Sequence, residues 1–134
     1  MLEKVLCIDD DPISVMLCSK VIERSDFAAQ TDSANNGKSA LSFLEGIIKA
    51  ETITYPEIIL LDLNMPIMNG WEFLEIYERN FASVFIDTKI VVLSSTIDPE
   101  DVNRTKEFSS VLTFISKPIT KTSLDEITRL LSTK

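Results

Sequence analysis

Carboxylates, hydroxyls and one lysine follow four apolar segments of the sequence, each at the point where the segment ends. In chain order these groups are Asp9-Asp10-Asp11, Asp62, Ser94-Ser95 and Ser116-Lys117. Carboxylates gathered in one cleft repel one another and raise some of their pKa values unless a cation neutralises them. Magnesium meets that need, because it prefers oxygen ligands and keeps waters that phosphoryl oxygens can replace. With a lysine and a hydroxyl beside the metal, the chemistry indicated is phosphoryl transfer to a carboxylate.

Each of these groups also has an ordinary structural explanation. Acidic residues such as Asp9–Asp11 are favoured at a helix N-terminus, and the last of the three is interpreted as a helix cap. Ser94 could cap a turn, and Lys117 could lie on a surface loop. Asp62 is harder to explain, since an ionisable group that ends the apolar run Ile58–Leu61 loses solvation unless partners compensate it.

Five apolar segments with helical patterns between them must position these side chains. They are Val5–Ile8, Phe27–Thr31, Ile58–Leu61, Ile90–Leu93 and Val111–Ile115. The first, third and fourth are almost wholly apolar, which is typical of parallel strands covered on both faces, whereas the more polar second segment indicates an edge. The alternation predicts an α/β fold with one doubly wound sheet. Ligands of such sheets bind outside the carboxyl ends of the strands, so all four polar groups should share one edge.

Three helix starts are marked in the sequence. The signals are Asp11-Pro12, Asp98-Pro99 and the pair Ser123 with Glu126. The first two place a capping carboxylate before a proline suited to the first helical position, and the third is interpreted as a capping box. Residues 80–89 contain apolar side chains without a clear period and give no prediction of their structure.

The bulk composition bounds the protein further. A length of 134 residues with 45% apolar side chains predicts one domain over residues 1–134, without an appended output domain. The net charge of −8 makes nucleic acid and anionic membranes poor partners. No long apolar span or signal segment is present, and we therefore expect a cytoplasmic protein. The absence of histidine excludes a histidine phosphodonor within this chain.

Two cysteines, Cys7 and Cys18, lie in an apolar strand-like segment and a helical one. They show neither metal-ligand spacing nor a disulfide framework. Both are interpreted as small core residues, because free cysteine is among the most buried residue types.

At the polar positions the sequence resembles the response-regulator receiver family of two-component signalling, from about Lys4 to Leu131. The resemblance is carried by Asp9-Asp10, by Asp62-Leu63-Asn64-Met65-Pro66-Ile67-Met68-Asn69-Gly70, by Ser94 and by Lys117-Pro118. It implies a flavodoxin-like fold with five parallel strands in the order 2-1-3-4-5 and five helices.

The resemblance also implies a role for each site residue. Asp62 would be the phosphoacceptor. A Mg²⁺ ion, with Mn²⁺ as an alternative, would be held by the side chains of Asp10 and Asp62 and the backbone carbonyl of Asn64, with Asp9 assisting. The protein would not be an enzyme in the usual sense, since it catalyses only its own phosphoryl transfer and dephosphorylation.

Three further implications concern the loops after strands four and five. Lys117 would bridge the acceptor carboxylate and later the phosphoryl group, next to a cis peptide before Pro118. Ser94 would turn inward to bond a phosphoryl oxygen. Phe114 occupies the aromatic switch position, where it lacks the hydroxyl of the more familiar tyrosine, and a plain core aromatic remains the alternative.

The partners implied are a sensor histidine kinase or a histidine phosphotransfer protein as donor, and a downstream protein as target. The target would bind the face formed by helix four, strand five and helix five, and the chain would be a monomer or a weak dimer through that face.

Two rival functions fit parts of the pattern. A phosphatase of the haloacid-dehalogenase type also uses a metal-bound aspartate, but its Asp-x-Asp follows the first strand, whereas Asp62 follows the third and is succeeded by Asn64 at the second site. A flavodoxin-like flavin binder would want hydrogen-bond donors where this chain has acidic side chains.

Overall fold

The computed structural model describes residues 1–51 and 54–132, and in these ranges five strands alternate with five helices. The end of the predicted domain at residue 134 lies outside the described residues. The strands are β1 (Leu2–Ile8), β2 (Ala28–Ala34), β3 (Ile58–Asp62), β4 (Lys89–Ser94) and β5 (Val111–Ser116). The helices are α1 (Pro12–Arg24), α2 (Gly37–Lys49), α3 (Gly70–Asn80), α4 (Pro99–Thr105) and α5 (Lys121–Ser132).

All five strands are parallel and form one sheet in the order β2-β1-β3-β4-β5. This confirms the predicted fold and the edge position of the second strand. Ile8 is paired with Leu61, and Asp62 with Leu93, so the carboxyl ends of the three central strands are level. The side chains that follow these ends therefore meet at one edge of the sheet.

The sheet is covered on both faces, which explains the apolar character of its central strands. Alternate strand residues point to opposite faces. One face packs against α2 and α3 and contributes Leu6, Ile8, Ile59, Leu61, Ile90 and Val92. The other packs against α1 and α5 and contributes Val5, Cys7, Ile58, Leu60, Val91 and Leu93. All twelve are buried.

Two of the three predicted helix caps are confirmed, and the third was placed too late. Asp11 and Asp98 cap α1 and α4 through their side chains. Helix α5 instead begins at Lys121, and the Oγ1 of Thr120 accepts a hydrogen bond from the Ser123 N–H at 3.1 Å. The Ser123 hydroxyl oxygen accepts one in return from the Thr120 N–H at 3.3 Å. The cap lies three residues earlier because a threonine and a serine satisfy each other's backbone donors.

Helix α3 begins directly after the loop that follows Asp62. Asn69 and Glu72 form a capping box, with hydrogen bonds of 3.0 and 3.1 Å. A Cβ added to Gly70 would lie 2.7 Å from Leu63 Cα and 2.8 Å from the Asp62 carbonyl oxygen. Close approach of the two backbones, which only glycine permits here, fixes this helix against the end of β3.

In the described part of the chain, every helix is too short or too polar to cross a bilayer.

Candidate functional site

Three carboxylates converge at the carboxyl edge of the sheet. Asp9 follows β1, Asp10 precedes α1, and Asp62 ends β3. One oxygen from each lies within 4.8 Å of the others. Asp9 and Asp62 are buried, whereas Asp10 is exposed to solvent. Opposite ligands of a Mg²⁺ ion are about 4 Å apart, so a hard divalent cation fits this donor set after small movements.

A single ammonium reaches two of these carboxylates from the end of β5. The Nζ of Lys117 donates a hydrogen bond to Asp9 Oδ2 at 2.7 Å and lies 3.6 Å from Asp62 Oδ2. The backbone N–H of Lys117 donates to the Ser94 carbonyl at 2.8 Å, and the following peptide to Pro118 is cis, as predicted. The loop after β5 is therefore tied to the end of β4, and its lysine is directed at the acidic side chains.

The environment raises the pKa of Asp62. Burial has the largest influence, and the negative charges of Asp9 and Asp10 act in the same direction. The Lys117 ammonium and the Asn64 N–H, 3.4 Å from Asp62 Oδ1, oppose the rise without cancelling it. The negative charge of Asp62 is thus poorly compensated, and a bound cation would stabilise the charged form of this carboxylate.

The pKa of Asp9 moves in the opposite direction. Burial alone would raise it, but hydrogen bonds from Lys117, from the backbone N–H of Asp11 and from the Ser14 hydroxyl lower it below its usual value. Burial would likewise lower the pKa of Lys117, yet Asp9 and Asp62 raise it. The Asp9 carboxylate and the Lys117 ammonium therefore stabilise each other's charged form.

Two of the three remaining predicted residues, Ser94 and Asn64, lie beside this centre. Ser94 is buried at the end of β4, and its Oγ accepts a hydrogen bond from the Thr96 N–H at 3.3 Å. Asn64 lies in the loop after Asp62, exposed to solvent. Phe114 is half-buried in β5 and lines a groove of about 350 Å³ between α4 and β5, together with Ile97. Asn64 and Ser94 thus flank the centre, whereas Phe114 lies at the adjacent α4–β5 surface.

An exposed apolar surface beside the acidic group was missed by the sequence analysis. Ile13, Met16 and Leu17 of α1 are 64, 49 and 50% exposed, and we call them the α1 face. Met16 also lines a cavity of about 770 Å³ between α1 and α2, which reaches Asp10. The signal available in the sequence was that α1 is apolar on more sides than contact with one sheet requires.

Comparison with known proteins gives the same family throughout. Residues 5–129 match the response regulator receiver domain family. The chain is 38% identical over 91 residues to a protein-glutamate methylesterase/protein-glutamine glutaminase of Treponema pallidum (strain Nichols). The aligned region covers 68% of this chain and 20% of that protein. The chain is 29% identical over 131 residues to hybrid signal transduction histidine kinase C of Dictyostelium discoideum, which covers 94% of this chain and 10% of the kinase.

Among solved structures, a two component response regulator from Cytophaga hutchinsonii superposes with a TM-score of 0.90 at 28% identity. The superposition covers 99% of this chain and 98% of that one. By contrast, the chain spans only 20 to 30% of the length of three similar methylesterases.

Proposed function

The chain belongs to the response regulator receiver domain family of two-component signalling, and we propose that it is a switch whose phosphoacceptor is Asp62. The observation that carries this proposal is the position of Asp62. Its carboxylate is buried at the carboxyl edge of the sheet, its pKa is raised, and Asp9, Asp10 and Lys117 surround it.

We assign the metal-binding role to three groups. The side chains of Asp10 and Asp62 and the backbone carbonyl of Asn64 would hold Mg²⁺, or Mn²⁺ in its place, with Asp9 assisting directly or through water. When bound, the ion supplies positive charge against the carboxylates and the incoming phosphoryl oxygens. Asp10 is solvent-exposed, so this edge of the site is open to ions and to a phosphodonor.

In the transfer step, a carboxylate oxygen of Asp62 attacks phosphorus and forms a P–O bond. The P–N bond of a partner's phosphohistidine breaks, and its electron pair stays on the imidazole nitrogen. Lys117, whose Nζ lies 3.6 Å from Asp62 Oδ2, would bind the transferred group. The Ser94 hydroxyl, at the end of the adjacent strand, would donate to another phosphoryl oxygen. Beyond this transfer and the later loss of its own phosphoryl group, the chain is proposed to turn over no substrate.

The phosphohistidine must belong to another protein, because this chain contains no histidine. We assign that role to a sensor histidine kinase or a histidine phosphotransfer protein in the cytoplasm. The α1 face supports this assignment, since it is apolar, exposed and adjacent to Asp10. A helical donor that packs its apolar side chains there would bring its histidine to the open edge of the site.

The proposed output surface consists of α4, β5 and α5. Phosphorylation adds negative charge that attracts Ser94 and Lys117, which end β4 and follow β5, and so biases the position of this surface. Ile97, 52% exposed, and Phe114 provide apolar contacts there for a downstream protein or for weak dimerisation.

Labelling with acetyl phosphate, or binding of a beryllofluoride mimic, tests the proposal. We expect modification of the parent in the presence of Mg²⁺ only, stopping at one phosphoryl group per chain, and none of Asp62→Asn. Asp125→Asn, which changes an exposed carboxylate of α5, is the matched control and should be labelled like the parent. Equal labelling of Asp62→Asn, or continued turnover of a generic phosphate ester, would contradict it.

A further inference from the structure

Cys7 and Cys18 are neighbours in the core, on the side of the sheet that packs against α1 and α5. Cys7 lies on β1 and is 2% exposed, and Cys18 lies on α1 and is 5% exposed. Both belong to the apolar cluster between the sheet and these helices. Both side chains also line the same small cavity. The fold therefore brings the two cysteines, which are remote in the chain, to one small cavity between the strand and the helix.

A small cavity connects this pair to the candidate site. Its volume is about 40 Å³, and a water molecule occupies about 30 Å³ in the liquid, so one molecule of that size fits. Leu17, which is half exposed, forms part of the wall, so the cavity lies close to the surface. The polar and sulfur-bearing residues that line it are Cys7, Asp9, Ser14, Cys18 and Lys117. Hydrogen peroxide, which is little larger than water, is an oxidant of suitable size.

We propose that Cys7 and Cys18 are a site of reversible oxidation, at which hydrogen peroxide converts the two thiols into a disulfide between β1 and α1. The role of these residues goes beyond the phosphoryl-transfer function and does not depend on it.

The proposed reaction balances in two steps. The Cys18 sulfur attacks one oxygen of the peroxide. The O–O bond breaks, and the products are a sulfenic acid on Cys18 and one water, which takes up the Cys18 proton. The Cys7 sulfur then attacks the Cys18 sulfur and displaces hydroxide, which leaves as a second water with the Cys7 proton. The two sulfurs lose two electrons in all, and the peroxide gains them.

The disulfide would enclose part of the candidate site in a covalent ring. The segment from Cys7 to Cys18 contains Asp9 and Asp10, two of the three converging carboxylates. Cross-linking also restricts the unfolded chain, so the oxidised protein should unfold at a higher temperature than the reduced protein.

The test measures free thiols and mass in the full chain after treatment with hydrogen peroxide. The protein is then denatured and alkylated without reductant. We expect the parent to lose the mass of two hydrogen atoms, to take up no alkylating reagent and to give a cross-linked Cys7–Cys18 peptide. Dithiothreitol should restore both thiols. The reaction should be at least several-fold faster in the folded chain than in urea, because only folding brings the sulfurs together.

Cys7→Ala and Cys18→Ala are the matched controls, and each should keep one thiol that forms no internal bond. Because either variant could fold less well, the parent alone also decides the question. Two alkylated cysteines in the peroxide-treated, folded parent would overturn the proposal. So would separate oxidation of each sulfur to sulfinic acid, or cross-linking that is as fast in urea as in the folded protein.

Discussion

At the scale of single residues, the site contains two buried carboxylates and one half-buried ammonium, which lies closer to one carboxylate than to the other. Lys117 bonds Asp9 at 2.7 Å but is 3.6 Å from Asp62. Asp9 has further donors in Asp11 and Ser14, whereas the Asn64 N–H is a weak partner for Asp62 at 3.4 Å. In this state Asp62 therefore retains charge that an added metal or phosphoryl group can exploit.

Replacement of Asp62 by asparagine should stabilise the metal-free protein at neutral pH. Burial raises the pKa of Asp62 above its usual 3.8, so the folded chain holds that proton more tightly than the unfolded chain. The contribution of Asp62 to stability is therefore present below pH 3.8 and lost as the pH rises through the folded pKa. We expect Asp62→Asn to raise the free energy of unfolding at pH 7 by about 1 kcal/mol.

Thermal unfolding measured from about pH 3 to about pH 8, in steps of about one pH unit, tests this effect. The difference between the parent and Asp62→Asn should shrink as the pH falls, and Mg²⁺ at neutral pH should stabilise the parent more than the variant. A variant that is less stable than the metal-free parent at pH 7 would show that Asp62 is well compensated.

Loss of the Lys117 ammonium should destabilise the fold strongly. Lys117→Met leaves Asp9, with a side chain only 4% exposed, without its cation, and we expect a loss of about 3 kcal/mol in urea unfolding at pH 7. Lys121→Met is the control, because Lys121 and Asp125 are 71 and 67% exposed, and their ion pair should contribute less than about 1 kcal/mol. Similar losses in the two variants would contradict the buried character of the Lys117 pair.

At the scale of elements, the start of α3 sets the position of the loop that follows Asp62 and carries Asn64. The capping box of Asn69 and Glu72 satisfies the first backbone donors of the helix. Gly70 then brings the helix against the end of β3, and its N–H donates to the Leu63 carbonyl at 3.0 Å. A backbone hydrogen bond thus joins the two ends of the loop that follows Asp62.

Gly70→Ala should therefore destabilise the protein by about 1–3 kcal/mol, since the new methyl group would overlap the Leu63 and Asp62 backbone. Gly46→Ala is a matched control within α2, where an added Cβ has no neighbour within 4 Å. That variant should gain about 0.5–1 kcal/mol from the better helix propensity of alanine. Urea unfolding of both variants measures the contrast, and a stabilised Gly70→Ala would refute the close approach.

At the scale of the whole molecule, Arg104 of α4 makes two side-chain contacts with α3. The Arg104 guanidinium lies 4.1 Å from the centre of the Trp71 ring and 3.7 Å from Glu75 Oε1. Trp71 also packs against Phe108, with ring centres 6.4 Å apart. A shift of α4 on phosphorylation must therefore change the surroundings of Trp71.

Trp71 is the only tryptophan in the sequence, so the tryptophan fluorescence of the chain reports on the surroundings of this one residue. Addition of beryllofluoride with Mg²⁺ should change the emission of the parent by roughly 10% or more, because the cation over the ring is displaced. Asp62→Asn should show no change, and Arg104→Gln should show a smaller one than the parent. An equal response in the parent and Asp62→Asn would separate Trp71 from the acceptor site.

The sequence alone determined the order of elements and the edge at which polar groups collect. Short apolar runs that alternate with helical patterns predict a single parallel sheet. The second run is more polar than the others, so it is expected at an edge of the sheet, where one side of the strand has no neighbour. The caps Asp11 and Asp98 could be predicted from the sequence, because a helix cap depends only on a few neighbouring residues. The family resemblance supplied the strand order, which the structure confirms.

Tertiary structure decided what depends on distances between segments that are remote in the chain. The preference of Lys117 for Asp9 over Asp62 arises from the packing of three strand ends. The meeting of Cys7 and Cys18 at one cavity likewise arises from the packing of α1 on the sheet. The cap of α5 was misplaced because several hydroxyls near its start could serve, and only the folded backbone selects Thr120. Local sequence fixes periodicity and caps, whereas the unequal pairing of Lys117 depends on the difference between distances of 2.7 and 3.6 Å in the fold.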